Sequence, residues 1–429
     1  MREMKDSGIE WIGEIPSNSL LTPLKYLSCI IRGGSPRPIA NFLTDEVNGY
    51  NWIKIGDTVK NSKYITKTKF KINPSGLNNT RLVKKGSLLL TNSMSFGEPY
   101  ILQIDGCIHD GWVSLFDFRN INQEYLYYCL ISNVCRVQFE RLTDGGVVQN
   151  LNIDKIASVK VVLFNLAEQE RIVKFLDTQC SEIDATAEDI QKEISLLEDY
   201  KKSVITEAVT KGLNPDAEMK DSGVKWLPKI PKHWKVIPSK YLFANSDIRR
   251  QTGDEQLTAS QKYGIITQKD YTAKENAQVV LATQGLEKWK HVEPNDFIIS
   301  LRSFQGGLEM SEITGCITWH YVVLKAQKEV YHKYYKWLFK SARYINALQG
   351  TCNFIRDGQD LRFSNFALVP LFELPLEEQQ QIADYLDTKC SEIDTLITDK
   401  KRQLDILADY KKSLIYEYVT GKKEVPVNE

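Results

Sequence analysis

The residues best suited to gripping a polyanion form a short run near the start of the chain: Gly33, Gly34, Ser35, Pro36, Arg37 and Pro38. A loop of this kind can turn backbone amides, a hydroxyl and a guanidinium toward a phosphate, although its glycines and prolines by themselves read first as a turn. Lys67, Lys69 and Lys71 alternate with Thr68 and Phe70, which predicts a strand with one basic face; an edge strand protected by lysines is the ordinary explanation. His109 beside Asp110 has the residue types of an acid–base pair. With no nucleophile in view, the two read as polar residues at a strand end.

Catalytic signatures are missing. No GxxxxGK[ST] loop is present for a nucleotide motor, and no Asn/Asp-Pro-Pro-aromatic loop accompanies a Gly-rich cofactor strand. The five histidines have no HxxxH or HExxH spacing, and no GxSxG elbow occurs. Eight cysteines without CxxC spacing predict reduced thiols and no metal site. Acidic clusters such as Glu182 with Asp184 and Glu188 with Asp189 read as solvated helix faces rather than a nuclease site.

The elements that would position any binding residues are duplicated. LDTxCSEID occurs at Leu176 to Asp184 and again at Leu386 to Asp394, and DYKKS at Asp199 to Ser203 and Asp409 to Ser413, all at an offset of 210. MKDSGIEWIGEIP (4 to 16) returns as MKDSGVKWLPKIP (219 to 231) at an offset of 215. A period this long means two domain-sized units rather than a solenoid. The stretch from Leu166 to Gly212 and its copy from Leu376 contain no Pro, and no Gly before Gly212 and Gly421, so each reads as one long helix. Apolar residues recur at spacings of four and three: Leu176, Cys180, Ile183, Ile190, Ile194, Leu197 and Val204, then Leu386, Cys390, Ile393, Ile397, Leu404, Leu407 and Leu414. That is a coiled-coil seam, with Lys201, Lys400 and Lys411 breaking the stripe. At 1.5 Å per residue, about 45 residues make a helix of roughly 65 Å, the length of a spacer.

Net charge is zero, with 55 basic and 55 acidic residues, but the sum hides a division. Residues 17 to 165 carry 17 Lys/Arg against 11 Asp/Glu, and residues 232 to 372 carry 19 against 13, so the remainder, mostly the two helices, is acidic. Two basic modules joined by acidic helices point to a polyanion partner for the modules and a different partner for the helices. No window has the apolar length of a membrane span and the first residues lack a signal peptide's apolar region, so a cytosolic protein is expected.

Within the modules, Ser87 to Thr91, Asp296 to Ser300 and His320 to Leu324 read as strands, and 122 to 140 and 331 to 348 as helices. At an offset of 209, Gly86 to Gly97 lies over Asn295 to Gly306, and Gly106, Cys107 and Ile108 lie over Gly315, Cys316 and Ile317. The frameworks match while the surfaces differ.

This layout resembles the DNA-specificity subunit of Type I restriction-modification enzymes. The resemblance rests on the lead-in, on Glu168 and Gln169 with Glu378 and Gln379 near the helix starts, on LDTxCSEID and on DYKKS, with looser pieces at Gly33 to Pro36, Trp52 to Asp57 and Tyr263 to Asp270. It implies an α+β chain: two mixed α/β target-recognition domains in tandem, separated by two long helices packed as an antiparallel coiled coil, with a pseudo-two-fold internal repeat. The expected divisions are a lead-in at 1–16, a first domain at 17–165, a spacer helix at 166–212, a linker and second lead-in at 213–231, a second domain at 232–375, a second helix at 376–421 and a tail at 422–429.

The resemblance further implies a non-catalytic chain on which each module reads one half of a bipartite site in double-stranded DNA. Two methyltransferase subunits would dock on the helices, and restriction/translocase subunits could join. S-adenosylmethionine would belong to the methyltransferase, and ATP and Mg to the restriction subunits; this chain would hold no cofactor. The reader candidates, chosen by position and chemistry, are Arg32, Ser35, Arg37, Asn92 and Ser93 in the first module and Arg249, Arg250, Arg302, Ser303 and Gln305 in the second. Arg suits guanine and Asn or Gln suits adenine through paired hydrogen bonds. The second module has NSDIRRQTG (Asn245 to Gly253) where the first has its Gly-Gly-Ser-Pro loop, so reader residues do not transfer between modules. A scaffold whose modules bind proteins is the alternative, and a self-sufficient enzyme ranks last.

Overall fold

The computed structural model describes residues 2–59, 62–92, 97–143, 152–275, 282–300, 303–351 and 361–426. The chain forms two compact units, Met1–Gln191 with Lys401–Glu429, and Lys192–Lys400. Parts of both long helices, Leu166–Lys211 and Leu376–Val419, therefore belong to each unit.

In the first unit, β1 (Cys29–Arg32), β2 (Tyr50–Ile53), β3 (Leu88–Thr91), β4 (Gly106–Ile108) and β5 (Trp112–Phe116) make the frame of two five-stranded sheets. In one, β5 lies between β1 and β3, antiparallel to both, with Arg32 opposite Val113 and Thr91 opposite Trp112. In the other, β4 runs beside β2 and pairs with Arg81–Val83. Leu88, Leu90, Val113 and Leu115 alternate toward one core, while Leu89 and Trp112 face a second.

The second unit repeats the plan with β6 (Phe243–Ser246), β7 (Lys290–Val292), β8 (Phe297–Ile299), β9 (Gly315–Ile317) and β10 (Val322–Ala326). Here β10 lies between β6 and β8, and β9 pairs with β7. Both lead-ins form small antiparallel hairpins, Met4–Asp6 with Glu14–Pro16 and Met219–Asp221 with Lys229–Pro231.

Three expectations change. The helices read at 122 to 140 and 331 to 348 are each two: Gln123–Ile131 and Asn133–Thr143, then His332–Lys340 and Ala342–Gln349. Ser132 and Ser341 take extended backbone at the breaks, and their hydroxyls donate to Cys129 O and Leu338 O, replacing the helical continuation with a side-chain bond. The basic strand face over Lys67, Lys69 and Lys71 is not formed, because the strand covers only Phe70–Ile72. The strand read from His320 begins at Val322, which leaves His320 and Tyr321 in a turn.

Each long helix is closed by a glycine, Gly212 with φ 77° and Gly421 with φ 74°, in the left-handed conformation that ends a helix without a Cβ clash. On the seam Leu176, Cys180, Ile183, Ile190, Ile194, Val204, Leu386, Cys390, Ile393, Ile397 and Leu414 are buried, and Leu197, Leu404 and Leu407 are partly so. The lysines that interrupt the stripe are half-buried and paired across it. In the first unit Lys411 Nζ lies 2.7 Å from Asp184, and in the second Lys201 Nζ lies 2.6 Å from Asp394. Lys400 lies 2.5 Å from Glu193. As one helix advances from 193 to 201 its partner falls from 400 to 394, so the pairing in that unit is antiparallel. The first unit agrees, with Phe175 against Tyr418 and Asp184 against Lys411.

The Glu-Gln pair at each helix start fastens helix to module. Gln169 is buried, accepts from Asn122 N and donates to Asn120 O and Phe164 O. Gln379 does the same in the second unit, accepting from Tyr331 N and donating to Leu374 O.

Candidate nucleic-acid interface

In the first module the candidate residues converge on a carboxylate. The turn His109 to Gly111, between β4 and β5, sits against the loop that follows β1, and the two glycines of that loop make the approach possible. A Cβ on Gly33 would fall 2.1 Å from His109 O and one on Gly34 2.7 Å from Asn79 O. Gly33 N donates to Trp112 O and Gly34 N to Ile108 O, which fixes the loop over the turn.

Asp110 then collects the loop's polar side chains. Ser35 Oγ donates to Asp110 Oδ1 at 2.6 Å, and Arg37 Nη2 to Oδ2 at 3.2 Å. Arg32 Nε and Asn92 Nδ2 donate to the Asp110 carbonyl at 3.2 and 3.0 Å. The Ser35 hydroxyl, with lesser help from the backbone, His109 and Arg37, outweighs partial burial and holds the Asp110 carboxyl below its usual range. Burial holds the neighbouring His109 imidazole below its own. Arg32 and Arg37 remain exposed, whereas Asn92 is fully buried with its amide committed to the turn. The arrangement presents two guanidiniums, oriented but not enclosed, at the end of β1 and in the loop that follows it. Guanidiniums so held can meet phosphates or guanine edges.

In the second module Arg249 and Arg250 occupy the loop after β6, the counterpart of the loop after β1. Arg249 Nη1 donates to Lys288 O at 2.8 Å, and Arg249 forms a bridge with Lys290, which also pairs with Ile317 at the end of β9. Behind this loop, Asp254 and His291 form a buried pair, Oδ2 to Nδ1 2.9 Å, and Glu293 lies 3.5 Å from Nε2. The Asp254 carboxylate also accepts from Gln251 N. The pair ties the arginine loop to the sheet.

Ser303 is buried, and its hydroxyl accepts from Ser300 N at 2.8 Å to close a turn; Gln305 is exposed beside it. Ser93 and Arg302 lie outside the described residues. Asp110, expected only as a polar residue at a strand end, instead gathers Ser35, Arg37, Arg32 and Asn92. With Gly106 to Ile108 over Gly315 to Ile317, Asp110 falls over Trp319, so one turn carries dissimilar prominent residues on a shared frame.

Among the described residues, no group of three or more His, Cys, Asp or Glu is placed to hold a metal ion, and no helix is long and apolar enough to cross a membrane. A groove of about 1100 Å³ lies in the second unit between the end of the first long helix, the second lead-in and Tyr385; Tyr200, Leu213 and Met219 line it.

Residues 29–196 match the family model of the Type I restriction modification DNA specificity domain. A putative type I restriction enzyme specificity subunit, MjaX, of Methanocaldococcus jannaschii is 24% identical over 440 residues, covering 96% of each chain. A solved chain from a study of assembly and conformational transition in a type I R-M system has a TM-score of 0.71 at 12% identity, covering 95% of this chain and 99% of its own. The HsdS subunit of Thermoanaerobacter tengcongensis has a TM-score of 0.53 at 14% identity, covering 95% and 98%. At these identities the solved structures establish the fold.

Proposed function

We infer that the chain belongs to the DNA-specificity subunits of Type I restriction-modification systems and recognises DNA on behalf of partner subunits. The observation that carries this is the match to the specificity-domain family over 29–196, the region that holds the Asp110 cluster with its exposed Arg32 and Arg37. Each module reads one half of a split site in double-stranded DNA. Arg32, Ser35 and Arg37 serve the first half, and Arg249 and Arg250 the second. Phosphate contacts by the basic modules supply affinity, and the differing loops supply sequence preference.

The chain contributes recognition and no chemistry of its own. Methyl transfer from S-adenosylmethionine to adenine belongs to two methyltransferase subunits, and ATP and Mg to restriction subunits where these are present. A protein acting on DNA in this way works in the cytoplasm. For the methyltransferases, the long helices offer the same exposed pair twice, Leu196 with Tyr200 and Ile406 with Tyr410, each pair one helical turn apart and the two offset by 210. A repeated patch of one chemistry suits two copies of one partner.

The test is binding by the complex with its methyltransferase partner, once methylated adenines have been mapped in DNA of the source cell. We expect the mapped split site to bind far more tightly than random duplex, and the affinity to fall with a steep log–log slope as salt rises. Equal binding to both duplexes would refute the reading. Binding unmoved by competitor DNA would favour a protein-binding scaffold.

A further inference from the structure

We propose that Trp319 is a base contact of the second module, laying the free face of its indole against the C5-methyl group of a thymine. The proposal rests on the DNA-recognition reading above and names one contact within it.

Of the eight tryptophans Trp319 alone is exposed, at 50%. Half of this large apolar side chain thus remains available for burial against a partner. The ring centroid lies 3.6 Å from that of His320 with 28° between the planes, so one indole face is covered and the other is open. Tyr321 N donates to Thr318 O and closes the turn beneath the pair.

Position supplies the second argument. Trp319 lies in the turn between β9 and β10, the counterpart of the turn between β4 and β5 on which Ser35, Arg37, Arg32 and Asn92 converge in the first module. The arginine loop reaches the same ladder end, since Lys290 is bridged to Arg249 on one side and to Ile317 on the other. Cys316 N also donates to Glu255 O, fastening β9 to the end of that loop. One module thus brings a carboxylate with exposed guanidiniums to this turn, and the other brings an exposed aromatic plate to the turn leaving the ladder that its arginine loop joins. Among base edges in the major groove, the thymine methyl is the group an apolar face recognises. With one face covered, the plate is suited to lying on a base edge rather than to entering between stacked bases.

The experiment uses the whole complex with its methyltransferase partner on the mapped target, with each thymine of the second half replaced in turn by deoxyuridine, which removes the methyl alone. For the unaltered protein we expect one such replacement to weaken binding about fourfold, the worth of one buried methyl group. Trp319→Ala should weaken target binding roughly tenfold and abolish the response to that replacement, while Trp319→Phe keeps much of both. Discrimination in the first half should be unchanged in both variants, which also reports that they fold. The proposal is overturned if no deoxyuridine replacement matters to the unaltered protein, if Trp319→Ala responds as the unaltered protein does, or if it weakens target and random duplexes equally. Failure of the unaltered complex to prefer its target would instead refute the DNA-recognition reading.

Discussion

Asp110 shows how a residue of unpromising type can organise a polar surface. Its carboxylate holds Ser35 and Arg37, and its carbonyl holds Arg32 and Asn92. Asp110→Asn keeps the carbonyl contacts and removes the charge. Hydrogen bonds to charged groups are worth about 1.5–3 kcal/mol when sheltered. At 45% exposure of the side chain, solvent screening brings the expected loss of stability to about 1 kcal/mol. The folded carboxyl titrates below its ordinary value, so its contribution is complete above an unfolded pKa of about 3.9 and is lost as pH falls through the lower folded value. Thermal unfolding of the two proteins should accordingly differ by the same amount from pH 5 to 8 and converge in acid. Binding should change in the opposite sense for the two kinds of DNA: without the negative charge random duplex binds more tightly, while preference for the correct first half declines. A variant with both affinities unchanged would remove Asp110 from the interface. Loop chemistry made Ser35 and Arg37 legible in sequence, but the acceptor lies 73 to 75 positions away, a distance no local pattern spans.

At the scale of elements, the long helices were readable nearly to the residue because 3.6-residue periodicity and terminal glycines are local signals, whereas the meaning of their lysines was not. Lys201, Lys400 and Lys411 looked like faults in an apolar stripe, and each has an acidic partner on the other helix. Two of these pairs, Lys201 with Asp394 and Lys411 with Asp184, are the same pair displaced by 210 in each member, a consequence of duplicating a helix and pairing the copies antiparallel. The broken helices failed in sequence for a similar reason: Ser132 and Ser341 are tolerated within a helical pattern, and only the backbone reveals that their hydroxyls end one helix. For the seam, Ile190→Lys or Ile397→Lys puts an ammonium where the native side chain is 9% or 7% exposed. Each should cost about 3 kcal/mol or more, since burial in an apolar seam strips the ammonium of its water. Leu196→Lys and Leu396→Lys, at positions 69% and 49% exposed, should shift unfolding by about 0.5 kcal/mol or less. Unfolding curves that fail to separate these two classes would contradict a packed pair of helices.

For the molecule as a whole, the decisive property is that each module begins and ends at one place. Leu20–Pro23 pairs with Lys160–Leu163, with Leu20 opposite Leu163, and Lys235–Ile237 pairs with Leu371–Glu373. A segment whose ends are joined in one ladder can be exchanged without moving the helix it leads into. Exchange of 17–165 for the corresponding segment of a relative should therefore give a folded chain, provided the contacts that cross the junction survive. In this protein they include Gln169 with Asn122 N, Asn120 O and Phe164 O, Lys63 and Tyr128 with Asp177, and Tyr125 OH with Val419 O, the last at 3.1 Å with Tyr125 fully buried. A donor segment lacking the Tyr125 hydroxyl would leave a buried carbonyl with one partner fewer, at a cost of about 1–3 kcal/mol. With those residues kept, the methylated positions mapped in cells carrying the exchanged chain should change in one half of the target and stay the same in the other. The physical reason is that the proposed base contacts lie on loops of one module or the other, and each module has its own buried core. Changes in both halves would mean that reading is shared between modules, and then neither the Asp110 turn nor the Trp319 turn could be assigned to one half-site.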